Sequence, residues 1–176
     1  MKLNIHVIDN FLSKRECDFF RNYHHKYYEK QLNRWTEAPS YTHGQTSPLV
    51  LGLSPIYHIR LGLLRKKIMR KILKLEPSLK YNYDQIVSWP TGSFQDFHVD
   101  QDPGNGTRAD WTSICYLNDD YGGGGTILKD APIPGDHTCE PIQGRVFLFT
   151  SKRIFHAVSQ VVGTRFTYIA WWQQGD

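Results

Sequence analysis

The sequence contains no long hydrophobic run and little cysteine. No stretch of about 18 apolar residues occurs in it, so no segment has the composition of a membrane-spanning helix. The N-terminal residues show neither an apolar core of signal-peptide length nor a small-residue cleavage site. The 3 cysteines are widely spaced and form no Cys-x-x-Cys pair, which argues against a disulfide framework and for reduced thiols. We therefore expect a cytoplasmic protein that has no membrane partner.

Internal repeats and low-complexity segments are also absent, and the 176 residues suit one compact domain over positions 1–176. Aromatic residues make up 14% of the chain, which favours a β-rich core because these side chains fill pleated, half-buried surfaces well. The net charge of +4 permits an acidic partner without requiring one. Much of the positive excess lies between Arg60 and Lys74, where we interpret it as the solvated face of a helix.

The first helix signal is a capping box, formed by Ser13 and by Glu16 three residues later. Apolar residues then recur at helical spacing, which predicts a helix over residues 14–31. His24 and His25 lie in this segment among tyrosines and lysines, and we expect both to be solvated.

A second helix is marked more clearly. Ser54 followed by Pro55 is typical of a helix start, because proline at the first helical position loses no hydrogen bond. Pro77 predicts where this helix ends. The prolines and small polar residues of segment 34–54 favour a loop before it. The apolar stripe of the second helix consists of Leu61, Leu64, Ile68, Ile72 and Leu75.

From Tyr81 onward, short apolar runs are separated by Gly, Pro, Asn and Asp. Many short strands with turns between them indicate a β-sandwich or a β-barrel. The predicted strands cover roughly residues 83–89, 93–99, 112–118, 126–129, 145–149, 154–161 and 164–172, in addition to a short strand at 3–8.

A candidate metal site begins at His98 and Asp100. Residues i and i+2 of a strand point to the same face, so this imidazole and this carboxylate project together. With His156 as a third donor, they form a 2-His-1-carboxylate set, which leaves positions open on Fe(II) for oxygen chemistry. His-x-Asp alone is also common on surface strands, and His156 alone would also suit a hydrogen-bonded core histidine.

Arg165 makes the metal interpretation more specific. It lies nine positions after His156, on the next predicted strand. A buried guanidinium on a β core is costly unless it meets an anion, and a dicarboxylate co-substrate would supply one. Strand alternation places Thr167, Ile169 and Trp171 on the same face as Arg165.

Four blocks of sequence, taken in order, resemble one enzyme family. The blocks are Val-Ile-Asp-Asn-Phe-Leu-Ser (7–13) with Glu16 and Cys17; Val-Ser-Trp-Pro (87–90) followed by Phe-His-Val-Asp (97–100); Cys-Tyr-Leu-Asn-Asp-Asp (115–120) running into Gly-Gly-Gly-Thr (123–126); and Gly-Arg-Val-Phe-Leu-Phe (144–149) followed by His156, Val158, Gly163, Arg165 and Trp171. Together they resemble the prolyl hydroxylase branch of the 2-oxoglutarate/Fe(II) dioxygenases, which includes the prolyl 4-hydroxylases.

This resemblance implies an α+β, mainly β fold. A double-stranded β-helix (jelly-roll) core would occupy residues 79–176, and the N-terminal helices of residues 1–78 would pack on one of its sheets. Segment 101–110 does not align with the family and is a candidate substrate lid. The cofactors implied are Fe(II), 2-oxoglutarate and O₂, with ascorbate as a reductant.

The resemblance also assigns roles to individual residues. His98, Asp100 and His156 would ligate iron, while Arg165 and Tyr116 would bind the distal carboxylate of 2-oxoglutarate. The resemblance further implies Trp89, which replaces a common tyrosine near the metal-bound end of the co-substrate, and Trp171, an aromatic lining the site. Thr167 is a further candidate for co-substrate binding, because it shares the strand face of Arg165.

The implied activity is hydroxylation of prolyl residues in a peptide or protein, with release of succinate and CO₂. Three alternatives stay open. A nucleic-acid dealkylating dioxygenase would suit the basic helix, but such enzymes have a second arginine shortly after the first, and residues 166–171 contain none, so we do not expect a nucleic-acid partner. The small chain also permits hydroxylation of a free amino acid. A non-catalytic metal-binding β-sandwich would have no need of open coordination positions.

Overall fold

The computed structural model describes residues 5–31, 40–43, 54–100, 109–129 and 138–175. Of the predicted lid, residues 101–108 lie outside these ranges. The described helices are α1 (Lys14–Gln31) and α2 (Pro55–Leu75). The described strands are β1 (Ile5–Ile8), β2 (Ser40–His43), β3 (Leu79–Trp89), β4 (Gln95–His98), β5 (Trp111–Tyr116), β6 (Gly122–Gly123), β7 (Thr126–Leu128), β8 (Thr138–Cys139), β9 (Val146–Phe149), β10 (His156–Val158), β11 (Val161–Val162) and β12 (Arg165–Gln174).

Both helices form where the local sequence predicted them. The Glu16 carboxylate accepts a hydrogen bond from the Ser13 backbone N–H at 2.9 Å, which is the return half of a capping box. The Ser54 hydroxyl caps α2 by accepting from the backbone N–H of Ile56. Neither described helix combines the length and apolar character that crossing a membrane requires. The buried stripe of α2 is formed by Leu61, Leu64, Ile68 and Ile72.

The strands form antiparallel sheets, as a jelly-roll requires, and the predicted fold class is confirmed. The larger sheet has the order β1-β9-β5-β12-β3-β2, and a four-stranded sheet has the order β4-β10-β7-β8. The prediction of a loop over 34–54 is wrong at residues 40–43, because β2 pairs with β3 there. The predicted strand 154–161 is two strands, β10 and β11, and the short strands β6 and β8 were not predicted.

The long strand β12 separates two hydrophobic cores. Phe166, Tyr168 and Trp172 pack in the core that also contains Phe20 of α1 and Ile68 of α2. Alternate residues of β12 point to the opposite face of the six-stranded sheet, where Ile169 contacts a second core formed with the smaller sheet. The helices therefore cover one face of the six-stranded sheet. Its other face, which lies toward the smaller sheet, is available for a site.

His24 corrects one expectation, because it is fully buried rather than solvated. Its Nε2 lies 3.0 Å from the Ser88 hydroxyl of β3, and its ring meets Phe166 edge-on. The inner face of α1 carries it against the sheet, which the local pattern of tyrosines and lysines did not reveal. Burial, aided by the neighbouring His25, lowers the pKa of His24 to about 3.

We expect His24 to make the fold acid-sensitive. An unfolded histidine titrates near 6.5, so between about pH 6.5 and pH 3 only the unfolded chain binds this proton, and stability falls as the pH falls. Between pH 7 and pH 5 the loss should be about 2 kcal/mol for this one group. Urea unfolding at both pH values should show a smaller loss in His24→Gln than in the wild type. His25→Gln serves as the control, and equal pH sensitivity in all three proteins would contradict the assignment.

Candidate metal centre

Three donor side chains meet between β4 and β10. His98 ends β4 and lies opposite His156 in the antiparallel pair, and Asp100 follows two residues after His98. One carboxylate oxygen, Oδ1 of Asp100, lies 3.5 Å from Nε2 of His98 and 3.4 Å from Nε2 of His156. One possible ligand atom from each of the three residues lies within 4.8 Å of the other two. The side chains that the sequence placed together are thus in one cluster, and their role as ligands stays a prediction.

Backbone carbonyls fix the orientation of both imidazoles. Nδ1 of His98 lies 2.9 Å from the carbonyl oxygen of Asp96, and Nδ1 of His156 lies 3.0 Å from that of Ile154. A carbonyl only accepts, so each Nδ1 carries the hydrogen and each neutral Nε2 presents its lone pair to the cluster. Both rings are therefore held in the tautomer that ligates a metal through Nε2.

The residues of the cluster also shift one another's pKa values. Burial alone would raise the pKa of Asp100, but the adjacent His156 and His98 side chains, together with the Thr112 hydroxyl, hold it well below its usual range. Burial alone would lower the pKa of His98, yet the adjacent Asp100 carboxylate and the backbone carbonyl of Asp96 raise it overall. Asp100 is thus an anion facing two imidazoles, which is the charge pattern of a site for a divalent cation.

A cavity of about 120 Å³ adjoins the cluster on the inner face of the six-stranded sheet. Its walls include Val87 of β3, Ile114 of β5 and Ile169 of β12. Along β12 the cavity extends from Trp171, which lies opposite Thr112, to Arg165, six residues earlier and opposite Trp89. An elongated, mainly apolar space therefore connects the histidine-aspartate cluster with a guanidinium.

Arg165 is fully buried, and no hydrogen bond among the described residues satisfies any of the three nitrogens of its guanidinium. The guanidinium lies between the rings of Trp89 and Tyr116, with its central carbon 5.3 Å and 5.5 Å from their centroids. Gly124 leaves space for it, because a Cβ at that position would lie 3.0 Å from Cδ of Arg165. A buried cation without a partner indicates a site for an anion.

The other predicted co-substrate residues surround Arg165 and the cavity. The indole N–H of Trp89 and the hydroxyl of Thr167 are buried and have no partner among the described residues. The Tyr116 hydroxyl donates to the Cys139 carbonyl at 3.0 Å and lies 2.7 Å from the Thr126 hydroxyl. Thr126 lines the cavity and was not singled out from the sequence, although it ends the glycine block that was.

Trp171 lies at the other end of the cavity, half-buried. Its indole stacks on the ring of Tyr83, with centroids 4.3 Å apart and planes inclined by 11°. Burial and the nearby Asp100 raise the pKa of Tyr83 to about 12, so its phenol stays neutral. The pair offers a flat aromatic surface beside the candidate metal cluster.

A jelly-roll with a two-histidine, one-carboxylate cluster near a buried arginine is the arrangement of a 2-oxoglutarate-dependent iron oxygenase. The family model of the 2OG-Fe(II) oxygenase superfamily matches residues 84–173, just over half of the chain, and the chain belongs to this superfamily. The family implies Fe(II), 2-oxoglutarate and O₂, and makes the protein an oxidoreductase of the dioxygenase class. No curated protein sequence matches the chain significantly.

Solved structures share this fold at low sequence identity. A prolyl-4-hydroxylase from Pseudomonas putida superposes with a TM-score of 0.73 at 17% identity, covering 99% of this chain and 95% of the other. The collagen prolyl hydroxylase of Paramecium Bursaria Chlorella virus-1, in its 2OG complex, gives 0.66 at 22% identity, with 98% and 96% covered. A Trichoplax adhaerens prolyl hydroxylase, in complex with a hypoxia inducible factor oxygen degradation domain peptide fragment, gives 0.74 at 17% identity, with 97% and 83% covered.

Proposed function

We propose that this protein hydroxylates prolyl residues in a peptide or protein, using Fe(II), 2-oxoglutarate and O₂ and releasing succinate and CO₂. The observation that carries the proposal is the guanidinium of Arg165, which lines the cavity that adjoins His98, Asp100 and His156 and has no hydrogen-bond partner in the part of the chain that the structure describes. A metal cluster alone would suit many metalloproteins. A cluster and an anion site joined by an apolar cavity suit an acid that bridges them.

The donor set fits Fe(II). His98 and His156 would each provide a neutral Nε2, and Asp100 would provide Oδ1, so one face of the ion would be held by the protein. With three protein donors, the opposite face stays available to substrates. When bound, iron and 2-oxoglutarate together supply the O₂-dependent oxidation that places one oxygen atom in a C–H bond of the substrate.

The cavity fits the co-substrate in chemical character. Arg165 would neutralise the distal carboxylate with charge-assisted hydrogen bonds, and the Thr167 hydroxyl lies on the same strand face. Val87 and Ile169 provide apolar walls for the methylene groups. The indole N–H of Trp89 only donates, so it would serve a carboxylate or carbonyl oxygen of the same molecule. We propose that Tyr116, whose ring faces the Arg165 guanidinium, also binds the distal carboxylate.

The aromatic pair Tyr83–Trp171 supports a prolyl substrate. Both rings are half-buried and nearly parallel, so they present a flat surface beside Asp100. A pyrrolidine ring is compact and apolar and packs well on such a surface. The three solved structures named above are prolyl hydroxylases, and one of them holds a peptide, which agrees with this substrate class.

The activity is tested by substrate-coupled succinate release. Purified protein is incubated with Fe(II), 2-oxoglutarate and a library of proline-containing peptides, and mass spectrometry detects the gain of one oxygen atom. Ascorbate is our proposed reductant, and its omission should shorten the period of linear turnover. Succinate release coupled to a free amino acid or to an alkylated nucleic acid, with none coupled to any prolyl peptide, would contradict the proposal.

Removal of the aromatic surface should weaken peptide binding selectively. We expect Trp171→Ala to raise the KM for the peptide by about 10-fold, because stacking on an aromatic ring is worth roughly 1 kcal/mol in addition to buried area. The KM for 2-oxoglutarate should change little, because Arg165 lies six residues away along β12. Tyr83→Phe, which keeps the ring, is the matched control. Equal rises in both KM values would assign Trp171 to the co-substrate instead.

A further inference from the structure

The two oxygens of the Asp100 carboxylate have different surroundings. Oδ1 faces Nε2 of His98 at 3.5 Å and Nε2 of His156 at 3.4 Å. Oδ2 accepts a hydrogen bond from the hydroxyl of Thr112 on β5. One oxygen is therefore directed at the candidate metal position, and the other is held by the six-stranded sheet.

The hydroxyl of Thr112 is itself held by a second buried hydroxyl. Oγ of Ser151 lies 2.8 Å from Oγ1 of Thr112, and the two residues are 0% and 2% exposed. A carboxylate can only accept, so the Thr112 proton goes to Asp100 and the Ser151 proton goes to Thr112. The hydrogen bonds thus run in one direction, from Ser151 through Thr112 to Oδ2 of Asp100.

The backbone around Asp100 needs such support. Asp100 lies beyond the last residue of β4, where no ladder hydrogen bonds fix the chain. Its N–H donates to the Ser151 carbonyl at 3.4 Å, so Ser151 supports the backbone as well as the hydroxyl pair. Thr112, in contrast, lies on a fully buried strand, opposite Phe149 on one side and Trp171 on the other. Thr112 is therefore fixed within a sheet, and its hydroxyl can orient the carboxyl group of Asp100, which lies outside the strand.

We propose that Thr112 is a positioning residue that restricts Asp100 to ligation through one oxygen. Because the hydroxyl directs Oδ2 toward β5, Oδ1 is the oxygen that faces both histidines, and the carboxylate would take one coordination position instead of two. That keeps a further position available for co-substrate or O₂. The inference rests on the proposed metal site and adds to it the residue that sets how Asp100 binds.

The test compares Thr112→Val, which keeps the shape but removes the hydroxyl, with Thr112→Ser, which keeps the hydroxyl. Mn(II) is the probe, because its affinity can be measured by the electron paramagnetic resonance of the free ion without turnover. We expect Thr112→Val to weaken Mn(II) binding by about 10- to 100-fold, as loss of a partner behind a metal ligand usually does. Thr112→Ser should bind close to the wild type. The spectrum of bound Mn(II) should change in the valine variant alone.

The possible outcomes distinguish failure of the proposed metal site from failure of the positioning role of Thr112. Absence of Mn(II) binding by the wild-type protein would overturn the proposed metal site itself. Tight binding by the wild type with equal affinity in Thr112→Val, or equal losses in the valine and serine variants, would overturn the positioning role alone. If Thr112→Val does not fold, Ser151→Ala is the deciding variant. We expect it to bind Mn(II) several-fold more weakly. An unchanged Mn(II) affinity would refute the role of the hydrogen bonds that run from Ser151 through Thr112 to Asp100.

Discussion

Replacement of Asp100 by alanine is expected to reduce iron-dependent succinate release to the background rate. The substitution removes the only anion of the cluster and leaves two neutral imidazoles, His98 and His156, to hold a divalent cation. It also removes the carboxylate that faces Nε2 of both histidines and accepts the Thr112 hydrogen bond, so only two of the three donor groups remain. Metal affinity, measured by anaerobic calorimetry with Fe(II), should fall together with turnover.

Asp96 provides the matched control for this experiment. It lies on β4, four residues before Asp100; its side chain is exposed, and its backbone carbonyl contacts His98. Asp96→Ala should therefore leave both metal affinity and turnover near the wild-type values. Undiminished turnover in Asp100→Ala would refute the ligand assignment, and a loss in both variants would mean that the strand, rather than the carboxylate, had been disrupted.

The sequence predicted the parts of this site that depend on local geometry. Strand alternation placed His98 with Asp100 and Arg165 with Trp171, and the structure keeps both alternations even though β4 ends at His98. The convergence of His156 with the first pair depends on the register between β4 and β10, which are far apart in the chain. Family spacing suggested that contact, while periodicity alone could not, because strand pairing is non-local.

The features that sequence reasoning missed are those set by tertiary packing. The strand β2 is only four residues long and lies in a segment rich in turn-forming residues, so its pairing with β3 decides its structure. His24 is buried because α1 presents it to Ser88, and Thr112 matters because its hydroxyl meets Asp100. Buried polar residues of this kind look like ordinary strand or helix residues until their partners are known.

Arg165→Met is expected to stabilise the ligand-free protein while it removes most of its affinity for 2-oxoglutarate. The wild-type guanidinium is fully buried with no hydrogen-bond partner among the described residues, so an apolar side chain of similar length should relieve its desolvation. Replacement of even a buried ion pair by apolar groups is often neutral or stabilising by about 1–4 kcal/mol, and at Arg165 no ion pair among the described residues is lost. Loss of two charge-assisted hydrogen bonds should raise the 2-oxoglutarate concentration needed for half-saturation roughly 100- to 1,000-fold. Thermal unfolding with and without co-substrate measures both effects.

Arg65 shows why higher stability together with lost co-substrate affinity would be specific to an arginine of a binding site. It is also largely buried, but its Nε lies 2.6 Å from Oδ2 of Asp84, which also accepts a 2.5 Å hydrogen bond from Tyr168. Arg65→Met would leave the Asp84 carboxylate buried without its cation and should destabilise the fold by about 3–5 kcal/mol. Arg65 thus has an anionic partner within the chain, whereas Arg165 has no hydrogen-bond partner among the described residues, as our proposed dicarboxylate site requires. Destabilisation of Arg165→Met to the same degree, with normal co-substrate saturation, would mean that Arg165 is structural and that another group binds the dicarboxylate.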